Sequence, residues 1–179
     1  MGPVGGIVMS SFAFLFWVLA QINGAPMSRV TLAVPFVVSL TLVMVAFRQN
    51  GRGLGGRTSE DERIGRVIMW SSAAEGLGIF LAVNVLRNVG MAERVMSGIA
   101  AVVGLHFLPM ARLIPFPRFY ALAAALLVIA ATSVLISPGR GALVAGVGAA
   151  IALWLAAALA LMPVHKSRER AGRWNTQER

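Results

Sequence analysis

Residues 142–162 read ALVAGVGAAIALWLAAALALM, 21 residues without a charged side chain. At about 1.5 Å of rise per residue, such a run makes a helix of about 30 Å, the thickness of a bilayer's hydrocarbon core. Five further runs of similar length and composition precede it, at 4–22, 30–47, 64–86, 95–113 and 119–136. The whole chain of 179 residues agrees with them: it is 58% hydrophobic and only 13% charged, with a mean hydropathy of +0.77. Soluble domains carry roughly a quarter charged residues, so the solvent here is lipid.

A backbone in lipid must satisfy its amides within its own segment unless it closes into a barrel. No run shows the alternation of barrel strands, so each run is expected to be a helix. The reading is an all-α integral membrane protein: a bundle of six transmembrane helices over 1–162, followed by a basic tail at 163–179. Connections run from about 5 to 16 residues and leave no room for a soluble domain. Any activity is therefore expected inside the bundle or at its rims.

The net charge of +9 is placed as a membrane protein places it. Six spans put Arg48, Arg52, Arg57, Arg63, Arg66, Arg112, Arg118, Lys166, Arg168, Arg170, Arg173 and Arg179 on one side, against Arg29, Arg87, Arg94 and Arg140 on the other. Positively charged loops stay in the cytoplasm, which predicts cytoplasmic N- and C-termini. The basic rim and the tail VHKSRERAGRWNTQER (164–179) fit anionic lipid headgroups as partners, and no nucleic acid is expected. There is no cysteine, and a single Lys stands among 16 basic residues, a usage typical of a GC-rich bacterium. The expected location is a bacterial inner membrane. The first run lacks a positive segment before it and is read as a retained helix, not a signal peptide.

The longest connection, RQNGRGLGGRTSEDER (48–63), is rich in glycine but follows no strand and contains no Gly-Lys-Ser/Thr, which argues against a nucleotide loop. Its end, Ser59 to Glu62, is a capping box for the third helix, a simpler use of those acids than a cation site. Pro35 is expected to kink the second helix. In the sixth, Gly141/Ala145/Ala149, Ala142/Gly146/Ala150 and Gly148/Ala152/Ala156/Ala160 form rows of small residues that allow close helix approach, to other helices of the chain or to a second copy in a homo-oligomer. Trp154 in the same helix reads as a packing element. An inverted repeat of three plus three helices is not supported, since the third helix carries an acid and the sixth does not.

That acid is Glu75, twelfth of the 23 residues in 64–86 and hence at the bilayer midplane. Its stripe on the helix is Ser71, Glu75, Gly78 and Ala82, small and polar, while Trp70, Leu77, Leu81 and Asn84 lie on the other side. Placing a carboxylate at that depth costs about 3 kcal/mol on insertion scales, so acids there are site candidates. The second candidate is His106, in 95–113. A short connection makes the two helices antiparallel and sets Glu75 and His106 at similar depth, within about 3 Å. Desolvation would favour the neutral form of each, their mutual attraction the ionised pair, and such coupled groups can hold and hand over one proton. The plainer alternatives are that Glu75 is tied to Ser71, Ser72 or a main-chain carbonyl, and that His106 serves the carbonyl left free by Pro109. Asn84 and Gln21 fall toward the outer rim, where an interfacial position is enough to account for them.

No catalytic class is supported. Zinc hydrolysis needs a ligand set that one intramembrane histidine cannot supply, and a haem on His106 has no specified second ligand beyond Met110 or another Met. No cofactor or metal is expected. The stretches EGLGI (75–79) and GLHFLPMARLI (104–114) resemble small bacterial multi-pass inner-membrane proteins of no established activity. The resemblance covers about the central third of the chain. It implies an all-helical membrane fold and directs attention to Glu75, Gly104, His106 and Pro109. The expected function is a small transporter or channel with a midplane Glu75–His106 site, flanked by Ser71 and Ser72, for a proton, cation or polar solute. The alternative is a non-transport subunit, lipid-binding or assembly protein in which the acid is structural and the sixth helix is the association surface.

Overall fold

The computed structural model describes residues 3–22, 29–50, 59–113 and 118–161. They form six helices: α1 (Pro3–Ile22), α2 (Arg29–Asn50), α3 (Ser59–Asn88), α4 (Val95–Leu113), α5 (Arg118–Leu135) and α6 (Pro138–Leu161), with a short 3-10 turn at Ala92–Arg94. The fold is an all-α membrane bundle. Five helices are long and apolar enough to cross a bilayer, over Gly5–Ile22, Gly65–Asn88, Ala92–Arg112, Arg118–Leu135 and Gly139–Leu161. In α2 the apolar part is shorter, Ala33–Arg48.

Helix ends differ from the apolar runs mainly where polar residues continue a helix. α3 starts at Ser59, several residues before its hydropathy begins, and α6 starts at Pro138, whose fixed φ suits a first helical position. The side chains of Ser59 to Glu62 and the tail 162–179 lie outside the described residues, so the capping box and the headgroup-binding tail are not seen.

Close contacts set the directions of the helices. Gly6 lies beside Leu161 and Gly146 beside Ala20, so α1 and α6 run antiparallel. Ser39 bonds to the Ser10 carbonyl and Phe36 meets Phe14 edge-on, so α2 runs back along α1. Antiparallel neighbours continue through α5 and α6 (Gly148 beside Ile129), α4 and α5 (Gly104 beside Leu126) and α3 and α4 (Gly78 beside Val102). The start of α1 and the end of α6 therefore lie on one side of the bundle, as an even number of crossings requires. The antiparallel course of α2 against α1 is the one that a sixth crossing would take.

Helix α6 is the hub: it packs along α1 and α5 and also reaches α4 and α2. Its small residues make this possible, with Ala145, Ala149 and Ala157 fully buried among Phe16, Val103, Phe119 and Leu126. Trp154 packs against Trp17, ring centroids 5.7 Å apart, and donates its indole N–H to Ser39 Oγ at 2.9 Å. α3 is the outlier: its packing partners are α4 and the turn joining them. Only 6% of its crossing segment is buried, against 44% for that of α4. Trp70, Leu77, Phe80, Leu81 and Val85 all project outward.

Candidate functional site between α3 and α4

The α3–α4 hairpin is set by its turn. Gly90 takes φ +75°, a left-handed conformation open to glycine. Met91 N–H bonds to the Leu86 carbonyl at 2.7 Å and Gly90 N–H to that of Arg87 at 3.2 Å. This is the Schellman closure of a helix end. Arg94 in the following turn donates to the Val134 carbonyl in the last turn of α5, which fixes the hairpin to the rest of the bundle. Below the turn the helices touch through glycines. A Cβ on Gly98 would stand 2.7 Å from Leu86, and one on Gly78 would stand 2.8 Å from Val102. Their absence brings α3 close to α4 on the stripe that carries Glu75.

That approach joins the two candidate residues. His106 Nε2 lies 3.6 Å from Glu75 Oε2, with side chains 8% and 7% exposed. The separation is within ion-pair range and longer than a hydrogen bond. On the other side of the ring, Nδ1 is 3.1 Å from the Ser71 main-chain carbonyl and 3.0 Å from the Ser71 hydroxyl. A carbonyl oxygen can only accept, so the tautomer that bonds to it carries its proton on Nδ1 and turns a bare Nε2 to Glu75. Adjacent on α4, Phe107 turns to the core and stacks on Phe119. Neighbouring residues thus serve different sides of one helix.

Glu75 and His106 sit at the floor of a groove of about 310 Å³ whose walls are Ser71, Ala74, Gly78, Val102, Leu105 and Pro109. Among the described residues α3 packs mainly on α4 and the turn joining them, so the groove lies at the periphery of the bundle. The stripe Ser71, Glu75, Gly78 and Ala82 is the one turned to α4, with Glu75 buried there, and Trp70, Leu77, Leu81 and Asn84 are exposed on the other side. The helix bearing the acid lies at the edge of the bundle.

Ser71 joins the site through His106, not through Glu75. Ser72 is exposed and lies off the groove lining. His106 does not serve the carbonyl left by Pro109, since its Nδ1 reaches across to α3. Gln21, expected at the interface, is instead 6% exposed within the protein, with its carbonyl oxygen unpartnered. Asn84 stays exposed and bonds to the carbonyl of Phe80 on its own helix. Among the described residues, no cluster of three or more His, Asp or Glu exists that could hold a metal ion.

No known family, curated protein or solved structure matches this chain. The site must therefore be read from its own chemistry. Wall residues Val102, Leu105 and Pro109 stand four and one before and three after His106, the same face of α4. Hydropathy gives no sign of them, since an apolar groove wall and an apolar lipid-facing surface have the same composition.

Proposed function

We propose that this chain is a small transporter of a bacterial inner membrane in which Glu75 and His106 exchange one proton for a polar solute near mid-depth. The observation that carries this reading is the pair itself, 3.6 Å apart on the floor of an open groove. A purely structural carboxyl would be expected to have its hydrogen bonds completed by packed neighbours. Here the pair is too far apart for a direct hydrogen bond and borders a space that a ligand can enter. Ionisable groups at this depth, placed beside a cavity, are the usual components of proton relays in transport proteins.

A second reading, a non-transport subunit with a structural acid, is favoured by the thin packing of α3, whose outward side would suit a partner helix. The two separate in proteoliposomes that carry a lumenal pH dye, under imposed gradients of amines, organic acids, sugars and alkali cations. The transporter reading expects at least one gradient to move lumenal pH, and the response to vanish in a correctly folded Glu75→Gln variant. If no gradient produces a Glu75-dependent response, the transporter reading fails and the subunit reading takes its place.

A further inference from the structure

We infer that the solute at this site is a membrane-partitioned primary amine, bound as its ammonium ion and entering sideways from the lipid. The inference rests on the proton-exchange reading above and adds the substrate class and the route.

The class follows from what the floor of the groove offers. In the tautomer that donates Nδ1–H to the Ser71 carbonyl, the two groups presented to the groove are Nε2 and the Glu75 carboxylate, both acceptors when the pair has lost its one proton. They stand 3.6 Å apart. An ammonium nitrogen can sit about 2.8 Å from both and give one N–H to each, as charge-assisted bonds allow. A carboxylate would meet two acceptors and no donor. A quaternary ammonium has no N–H to give. A quinone or ketone carbonyl could bind only to the protonated pair, for which it would compete with the existing contact.

Among the described residues, no other charge stands beside the pair. α4 brings only His106 to face Glu75; Arg112 of the same helix is exposed, about 9 Å further along the axis. On α3 the nearest charged residue with a described position is Arg66, exposed and about 13 Å away along the helix. Glu93 and Arg94 of the turn lie about 18 Å from His106. One carboxylate with a neutral imidazole leaves a single negative charge, and one cation balances it.

The exchange conserves charge. In the resting site the pair carries one proton, on the Glu75 carboxyl or on His106 Nε2. When an ammonium ion enters, that proton leaves to water. Glu75 remains as carboxylate, and the net charge of the site is unchanged. One proton departs for each amine bound, and the two cannot occupy the site together.

The route follows from the walls. Ala74, Gly78, Val102, Leu105 and Pro109 are apolar, and among the described residues α3 packs mainly on α4 and the turn joining them, which leaves the groove at the edge of the bundle. Its volume, about 310 Å³, falls at the lower end of small-molecule pockets. An alkyl or aryl body dissolved in the bilayer would fit there, with its amine toward the floor.

The test is calorimetric titration of the full-length chain in lipid nanodiscs with benzylamine, with benzyltrimethylammonium and phenylacetate as probes of the same ring, and empty nanodiscs to subtract partitioning. The expected result is saturable 1:1 binding of benzylamine, with about one proton released per amine, read from the dependence of the heat on the buffer's ionisation enthalpy. Benzyltrimethylammonium should bind at least tenfold more weakly and phenylacetate not at all. Glu75→Gln should abolish binding. Ala74→Leu fills the groove from an exposed position without touching the pair and should weaken binding at least tenfold, its fold checked by size exclusion and circular dichroism. Heats no larger than those of empty nanodiscs, equal affinity for the quaternary ion, or an Ala74→Leu variant that binds normally would each overturn the inference. In the proteoliposome panel, a Glu75-dependent response to another solute but not to benzylamine would remove the substrate class and leave proton exchange standing. A panel with no response would remove both.

Discussion

Ser71 contributes to the site through an atom that mutation cannot delete. Its main-chain carbonyl holds the Nδ1 proton of His106, and its hydroxyl stands at nearly the same distance. Side-chain hydrogen bonds inside membrane proteins are worth about 0.6 kcal/mol on average. Ser71→Ala should therefore lower proton-coupled flux by no more than about threefold, because the carbonyl still fixes the tautomer, whereas His106→Ala should abolish the coupling. Initial rates in proteoliposomes test this, and an inactive Ser71→Ala would mean that the hydroxyl, not the carbonyl, orients the ring. Glu75 and His106 were legible in the sequence because charge at mid-depth is rare and a short connection forces similar depth. The choice between Ser71 and Ser72 was not legible. Adjacent helical residues point about 100° apart, so which of them meets α4 depends on the rotation of α3 about its axis, and hydropathy does not report it. Gln21 was misplaced for a related reason: its depth suggested an interface, but its side of α1 is covered by protein.

Small residues along α6 act as an element rather than singly. A Cβ on Gly146 would lie 2.5 Å from the Cβ of Ala20 and 3.1 Å from the Phe16 carbonyl, so α1 would have to move away. Gly139, in the first turn of the same helix, has nothing within 4 Å of its missing Cβ. Overpacking a close interface costs about 1–3 kcal/mol. Gly146→Ala should accordingly lower stability by that amount in thermal unfolding followed in detergent, and Gly139→Ala should not lower it. Equal behaviour of the two would show that α1 and α6 are not in close contact. The rows of small residues announced tight packing in the sequence, but they run on several sides of α6 and did not say against what. The structure places α1 and α5 against them, and Val144, Ile151, Leu155 and Leu159 are left on the outer surface.

At the scale of the molecule, the number, length and approximate ends of the helices follow from hydropathy, and the order in which they pack does not. Lipid is as apolar as a neighbouring helix, so a side facing lipid and a side facing protein carry similar residues. The least expected feature is that α2 and α3, joined in sequence, lie at different edges of the bundle: α2 against α1 and α6, α3 against α4. This arrangement leaves the Glu75–His106 groove open to the bilayer. Were α2 to lie against α3, the groove would be closed and the sideways route lost. The packing path from α2 to α3 runs through α6 and α4, three steps of about 8–10 Å, so the two axes can be up to about 30 Å apart, against a single step between α3 and α4. The chain has no cysteine, so pairs of introduced cysteines can carry spin labels without background. Leu40 of α2 and Leu77 of α3 are outward-facing, 47% and 59% exposed, and Leu105 of α4 is 53% exposed. Labels there should leave the packing intact. Pulsed dipolar spectroscopy in nanodiscs should give a Leu40–Leu77 distance clearly longer than the Leu77–Leu105 distance, which is set by a single interhelical step. A Leu40–Leu77 distance below about 15 Å would place α2 against α3. It would shut the groove and remove the access on which binding from the lipid depends.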